Sequence, residues 1–263
     1  SSSSSGTAVE FTIMVETENW YKLYGGSNDD FARSVQQTTD GGYIIAGKTE
    51  SSGNGSSDAW LIKTDSDGAK EWSQTFGGSD HDYARSVQQT ADGGFIIVGG
   101  TRSYGNGNAY SPDIWLIKTD SNGNEQWNRT WGLSGIDIGH CVRQTSDGGY
   151  IIAGESYYAA FLLKTDSNGN EQWNQLLTSY NNDRANSVLQ TADGGYIVTG
   201  TKDNSSNGMS DDFFLTKRSN NGIEQWTQTY GGSDYDRGFS LELTTDGGYI
   251  LAGETESFGN GSK

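Results

Sequence analysis

Residues 85–131 read RSVQQT-ADGG-FIIVGG-TRSYGNGNAYSP-DIWLIKT-DSNG-NEQWNRTW. Arg85 to Thr90 alternates like a strand with one covered face. Asp92-Gly93-Gly94 is a tight turn, since glycine tolerates positive φ. Phe95 to Gly99 is a continuous apolar run, the pattern of a strand covered on both faces. A polar loop from Arg102 to Pro112 leads to a third strand over Ile114 to Asp120. Asp120-Ser121-Asn122-Gly123 turns the chain again, and Glu125 to Trp131 makes the fourth strand. The segment is a unit of four short antiparallel strands.

This unit recurs. Asp-Gly-Gly-aromatic appears at Asp40 to Tyr43, Asp92 to Phe95, Asp147 to Tyr150, Asp193 to Tyr196 and Asp246 to Tyr249, spaced by 52, 55, 46 and 53 residues. Trp20, Trp72, Trp127, Trp173 and Trp226 repeat with the same four spacings. Repeats of about 40–50 residues made of short strands and glycine-rich turns are the signature of propeller blades. At the two ends the pattern is split. Gly247 to Thr255 completes only two strands of the fifth copy, whereas Phe11 to Val15 and Asn19 to Tyr24 match a third and a fourth strand. The expected fold is therefore all-β: a five-bladed β-propeller with four antiparallel strands per blade and the last blade closed by the N-terminal strands. Residues 1–7 read as a Ser-rich linker and residues 8–263 as a single domain, with blade boundaries near the five tryptophans.

Composition narrows the function. Of 263 residues only 32% are apolar, 38 are Gly and one is Pro, and the net charge is −17. That charge argues against nucleic acid, whose phosphates need clustered Lys and Arg, and against an anionic membrane surface. No apolar run approaches the ~20 residues of a membrane-spanning helix, so direct membrane insertion is not expected. Cys141 is the only cysteine. It stands where the other repeats carry Ser34, Ser86, Ser187 and Ser240, which reads as a small buried side chain. Asn54, Asn128, Asn204 and Asn260 head Asn-x-Ser/Thr triplets and are candidate N-glycosylation sites, in keeping with an extracellular location.

Lys63 to Trp72, Lys118 to Trp127 and Lys164 to Trp173 resemble the tryptophan-docking motif of quinoprotein-like propellers. The whole repeat, with its Asp-Gly-Gly-Tyr-Ile and Trp-Leu-Ile-Lys-Thr-Asp phrases, is similar to the kelch-like and quinoprotein-like tandem repeats of secreted archaeal and bacterial cell-surface proteins. The resemblance covers nearly the whole chain. It implies that Trp20, Trp72, Trp127, Trp173 and Trp226 stack between neighbouring blades. Such propellers serve as enzymes, lectins and scaffolds, so it says little about activity. The fourth copy, Lys217-Arg218-Ser219-Asn220, lacks the turn Asp and its turn must be held differently.

Three groups of residues are candidates for chemistry. Asp30, Asp82, Asp137, Asp183 and Asp236 each stand five residues before an apolar position of the first strand, in the loop between blades. A ring of such carboxylates would suit Ca²⁺, while its strict repetition favours each Asp bracing its own loop. Equivalent acids also argue against a glycosidase-like enzyme, which needs carboxylates in unlike environments. No catalytic residue is expected, and His81 and His140 read as surface residues. The loop between second and third strands is long in copies 1, 2 and 4 and nearly absent in copy 3. Tyr104, Tyr110, Tyr157 and Tyr158 would border the resulting notch and suit a carbohydrate. The function expected is a non-catalytic extracellular binding or adhesion module for a glycan or cell-surface protein. The alternatives are a self-associating unit of a surface layer or filament, and a polysaccharide-active hydrolase.

Overall fold

The computed structural model describes residues 9–15, 18–105, 111–132, 135–157, 159–178, 182–203 and 211–257, with side chains from residue 21 onward. Among them every helix or strand is a strand. β1 (Val9–Val15) and β2 (Glu18–Tyr24) form an antiparallel pair. Four antiparallel four-stranded sheets follow. The first joins β3 (Asp30–Gln37), β4 (Tyr43–Thr49), β5 (Asp58–Thr64) and β6 (Lys70–Phe76). The second joins β7 (Asp82–Gln89), β8 (Phe95–Thr101), β9 (Asp113–Thr119) and β10 (Glu125–Trp131). The third joins β11 (Asp137–Gln144), β12 (Tyr150–Ser156), β13 (Ala159–Thr165) and β14 (Glu171–Leu176). The fourth joins β15 (Arg184–Gln190), β16 (Tyr196–Asp203), β17 (Asp211–Arg218) and β18 (Glu224–Tyr230). β19 (Asp236–Leu243) and β20 (Tyr249–Thr255) close the chain as a second two-stranded sheet. The protein is thus an all-β repeat of four-stranded meanders, an arrangement consistent with a β-propeller. It divides into two compact units, Ser1–Gly132 and Leu133–Lys263.

The hydropathy pattern explains the order of strands within each sheet. Every residue of β8, β9 and β13 is buried, which is why these read as unbroken apolar runs. The outer strands β14 and β18 are largely exposed, β10 is partly so, and all three are correspondingly polar. In the first unit the core gathers Ile44, Leu61, Phe95, Ile97 and Trp115, against which Trp72 packs. In the second it gathers Ile151, Leu162, Val188, Tyr196 and Phe214, with Trp173 against it.

The Asp-Gly-Gly turn and the Lys-Thr-Asp phrase prove to be one device. Asp92 Oδ1 accepts the Thr90 hydroxyl at 2.5 Å and the Gly94 N–H at 3.0 Å, closing its own turn. Its other oxygen lies 2.9 Å from the Lys118 ammonium, which is only 4% exposed and also donates to Thr119 O. Asp40 with Lys63, Asp147 with Lys164 and Asp193 with Lys217 repeat the ion pair at the same 2.9 Å. The lysine crosses directly over the second glycine: a Cβ on Gly94 would stand 2.2 Å from Thr119 O and 2.6 Å from Lys118 Nζ. The first glycine of the pair, Gly93, is required instead for its φ of +82°.

The tryptophans bridge one sheet to the next within each unit. Trp72 on β6 meets Phe95 of β8 edge-on, with ring centres 5.8 Å apart, and its ring lies against the Gly123 turn of the second sheet. Trp173 repeats this with Tyr196 at 5.8 Å and the Gly222 turn. Trp226 is 37% exposed, because β19–β20 supplies no third-to-fourth-strand turn to cover it. The side chain of Trp20 and the 1–7 segment lie outside the described residues. The Lys-Arg-Ser-Asn turn is closed by Ser219, whose hydroxyl accepts the Ile223 N–H at 3.2 Å in place of the missing carboxylate.

Candidate functional site

Asp30, Asp82, Asp137 and Asp236 open β3, β7, β11 and β19, Asp183 stands just before β15, and all five are 0–1% exposed. Their partners are equivalent in three of five copies. Asp82 accepts the N–H of Gly78, four residues earlier, at 2.8 Å, together with the hydroxyls of Thr101 and Ser103. Asp30 takes Gly26, Thr49 and Ser51, and Asp236 takes Gly232, Thr255 and Ser257. Burial pushes the Asp30 and Asp236 carboxyls up, but these hydrogen bonds outweigh it and hold both below the ordinary range. Asp137 keeps Ser156 from this set. Asp183 departs further: it accepts the Asp203 N–H at 2.7 Å, and burial leaves its carboxyl above the ordinary range. The carboxylates are therefore not equivalent, contrary to the reading of the repeat. Each braces the start of its own inner strand. No group of three or more His, Cys, Asp or Glu side chains among the described residues is arranged to hold a metal ion.

Of the tyrosines expected to line a notch, Tyr104 belongs to the first unit and Tyr157 to the second. Tyr104 is half-exposed; its hydroxyl donates to Gly77 O at 2.8 Å and its ring tilts against Trp115. Tyr157 is half-exposed at a φ of 46°, a strained conformation for a bulky residue, and its N–H donates to Ile136 O at 3.0 Å. Tyr110 and Tyr158 lie outside the described residues, as do Asn204 and Asn260. Asn54 is exposed in the β4–β5 loop, and Asn128 lies on β10 with its amide donating to Glu125.

The sequence reading missed a feature that all five inner strands share. Each carries a β-bulge at its fourth position or the equivalent. Ala32 pairs with Gly47 and Ser34 with Ala46, so Arg33 between them has no partner in the ladder. Arg85 in β7, His140 in β11, Asn186 in β15 and Phe239 in β19 are bulged in the same way. The flanking residues are small throughout, Ala or Gly before and Ser or Cys after, and serve packing: Val87 N–H donates to Ser34 Oγ, and the Cys141 thiol faces Val188 O at 3.9 Å. Between them the bulged residue changes type, running Arg, Arg, His, Asn, Phe, as the second and seventh positions of the repeat also do. A bulge re-aims one side chain away from the pleat and is a recurrent device beside binding sites. The signal was present in the alignment of Ala-Arg-Ser, Ala-Arg-Ser, Gly-His-Cys, Ala-Asn-Ser and Gly-Phe-Ser, but ladder register is needed to see it.

His140 is not a surface residue. Its side chain is 8% exposed and Nε2 lies 3.4 Å from Glu155 Oε1 on β12, while Glu155 Oε2 accepts Arg184 Nε of β15 at 3.0 Å. A buried glutamate therefore stands beside one bulge of the second unit, where the repeat led us to expect none. Asn186 Nδ2 donates to Gly238 O at 2.8 Å, so this bulge ties its sheet to β19.

No family model matches the chain, and no curated protein matches it. Solved structures do resemble it in fold. A protein from Lactobacillus plantarum aligns over 90% of this chain and 68% of its own with a TM-score of 0.57 and 11% identity. YCF48 bound to D1 peptide aligns over 85% of this chain and 62% of its own, at a TM-score of 0.44 and 14% identity. Sqt1 from Chaetomium thermophilum aligns over 81% and 63%, at 0.41 and 8%. At these identities the likeness shows fold alone: a β-propeller-like repeat. No helix among the described residues is long and apolar enough to cross a membrane.

Proposed function

We propose that the protein is a non-catalytic extracellular recognition module, a five-bladed β-propeller in which β19–β20 and β1–β2 together make up the fifth blade. The blade count is supported by the match of β1–β2 to third and fourth strands, and by the apolar side chains that β19–β20 leaves uncovered, Leu243 and Ile250. The recognition reading rests on one observation: between flanking residues that stay small in every copy, the residue bulged out of the ladder runs Arg33, Arg85, His140, Asn186 and Phe239. Packing preserves repeat symmetry, whereas ligand contact breaks it. The ligand class we assign is a glycan or surface polymer, with the exposed faces of Tyr104 and Tyr157 as further contacts. Asp30, Asp82 and Asp236, each engaged by the same set of bracing hydrogen bonds, are suited to a structural rather than a hydrolytic role.

Glycan-array binding of the wild type and of Arg85→Ala, His140→Ala and Phe239→Ala variants tests this. Loss of a hit in at least one bulge variant, with melting temperature preserved, is the expected result. Wild-type binding in all three would remove the bulges as readers. The alternative, a unit of a surface assembly, draws on the same exposed apolar residues of β19–β20. It predicts concentration-dependent association that Ile250→Lys abolishes.

A further inference from the structure

We propose that a cleft in the first unit binds the carboxylate of an acidic saccharide, such as a terminal uronic acid. This rests on the recognition reading above and names the ligand of two of its bulges. The cleft has a volume of about 370 Å³ and is lined by Arg33, Lys48, Ser57, His81, Tyr83, Ala84, Arg85 and Arg102, of which the six polar groups that matter are three arginines, Lys48, Ser57 and His81. The whole chain carries twice as many acidic as basic residues, 34 against 17. Yet this cleft gathers four of the cations and no carboxylate.

The cations are placed by the fold. Arg33 and Arg85 are the bulged residues of β3 and β7, re-aimed out of their ladders. Arg102 follows the end of β8, where its N–H donates to His81 O at 3.0 Å. Ser57 and His81 form an isolated bridge, and the Ser57 hydroxyl meets His81 Nδ1 at 3.1 Å. Asp82 N–H donates to Ser57 O at 2.8 Å, so the floor is zipped from three segments and pre-organised. The Arg85 guanidinium lies 5.4 Å from the Tyr83 ring centre, a cation–π contact that orients it. Lys48 has a carboxylate partner, Glu50 at 2.7 Å. Arg33 and Arg102 are exposed and make no ion pair among the described residues.

Guanidinium groups match a carboxylate bidentately, which selects a planar anion over a neutral hydroxyl group. The remaining lining points to sugar rather than to peptide. A peptide docks through an apolar or aromatic anchor in a desolvated pocket, and here the apolar lining is limited to Ala84 and the Tyr83 ring, which already stacks with Arg85. Hydroxyl, imidazole and phenol groups beside the arginines suit the hydroxyls of a pyranose. The volume lies at the low end of the ~300–1,000 Å³ range of small-ligand sites, room for one or two sugar rings.

Isothermal titration of the full chain with methyl glucuronide, methyl glucoside and sodium sulfate tests the assignment. The glucuronide is expected to bind at least about tenfold more tightly than either other probe, with affinity falling as salt rises. Arg33→Gln/Arg102→Gln should weaken it by about tenfold or more at unchanged melting temperature, both side chains being exposed. Arg129→Gln, which removes one positive charge outside the cleft, should leave affinity unchanged. Equal binding of glucuronide and glucoside, sulfate binding as tight as glucuronide, or wild-type affinity in the double variant would each overturn the proposal. If the glucuronide fails while a neutral glycan still binds through His140 or Phe239, the recognition reading stands and only this ligand assignment falls.

Discussion

Replacing Asp92 by Asn isolates the charge in the turn device. The amide keeps an oxygen for Thr90 and Gly94, so the turn closes as before. What is lost is the carboxylate 2.9 Å from Lys118, whose ammonium is 4% exposed. Removing one partner of a fully buried pair costs ~3–5 kcal/mol, whereas exposed pairs contribute ~0–1 kcal/mol. Here the cation is buried but the carboxylate side chain is 58% exposed, and Thr119 O and Gln126 Oε1 still accept from the ammonium. A loss of about 2 kcal/mol is the expected compromise between those limits. Asp246 supplies the internal control. It closes the same turn through Thr244 and Gly248 and makes no ion pair among the described residues, so Asp246→Asn should cost less than about 1 kcal/mol. Urea denaturation followed by tryptophan fluorescence measures both. Adding Lys118→Met to Asp92→Asn should recover at least about 1 kcal/mol, since the stranded charge is gone. If Asp92→Asn is no worse than Asp246→Asn, the ion pair is not what stabilises the repeat.

Acid should expose the same device. Asp40, Asp92 and Asp147 are held at about 2 against an ordinary 3.8. For Asp40 the Thr38 hydroxyl is the leading cause, followed by Lys63; for the other two, burial pushes upward but the threonine hydroxyl, the lysine and the backbone N–H outweigh it. A folded value below the unfolded one means the contribution is fully present above about pH 4 and is lost as pH falls towards 2. The urea midpoint should drop across that window, and less steeply in Asp92→Asn. Gly94→Ala should destabilise by more than about 3 kcal/mol, because its Cβ meets Thr119 O, while Gly93→Ala, with open space and only a positive φ to oppose it, should cost about 1 kcal/mol. Trp72→Ala, which empties the contact with Phe95, should cost about 3 kcal/mol and half-exposed Trp226→Ala about 1 kcal/mol. Thermal or urea melts would show the order.

Much of the fold was legible because it is local and periodic. The second, third and fourth strands of the second sheet fall within a residue or two of the positions read from alternation and glycine turns, and the first starts three residues earlier than read, since a buried run and a positive-φ glycine leave direct marks on composition. The braces of Asp30, Asp82 and Asp236 were legible for the same reason, whereas the departure of Asp183 from them was not. Other features were not. His140 looked like a surface residue because a lone histidine carries no pattern, and its burial depends on Glu155 in the neighbouring strand and Arg184 in the next sheet. The lysine of Lys-Thr-Asp gave no hint of being buried. Only the return of β9 beside the Asp92 turn brings its ammonium over Gly94.

The chain itself determined the repeat, the four-stranded unit, the turn chemistry and the packing of Trp72 and Trp173, because each is written within about fifty residues. The tertiary structure decided which residues leave the ladder. A bulge exists only in the pairing of two strands, where Ala84 meets Gly99 and Ser86 meets Val98 with Arg85 left between them. It also decided that cations from four separate strands and loops share one cleft, a convergence over some seventy residues of chain that no local pattern encodes.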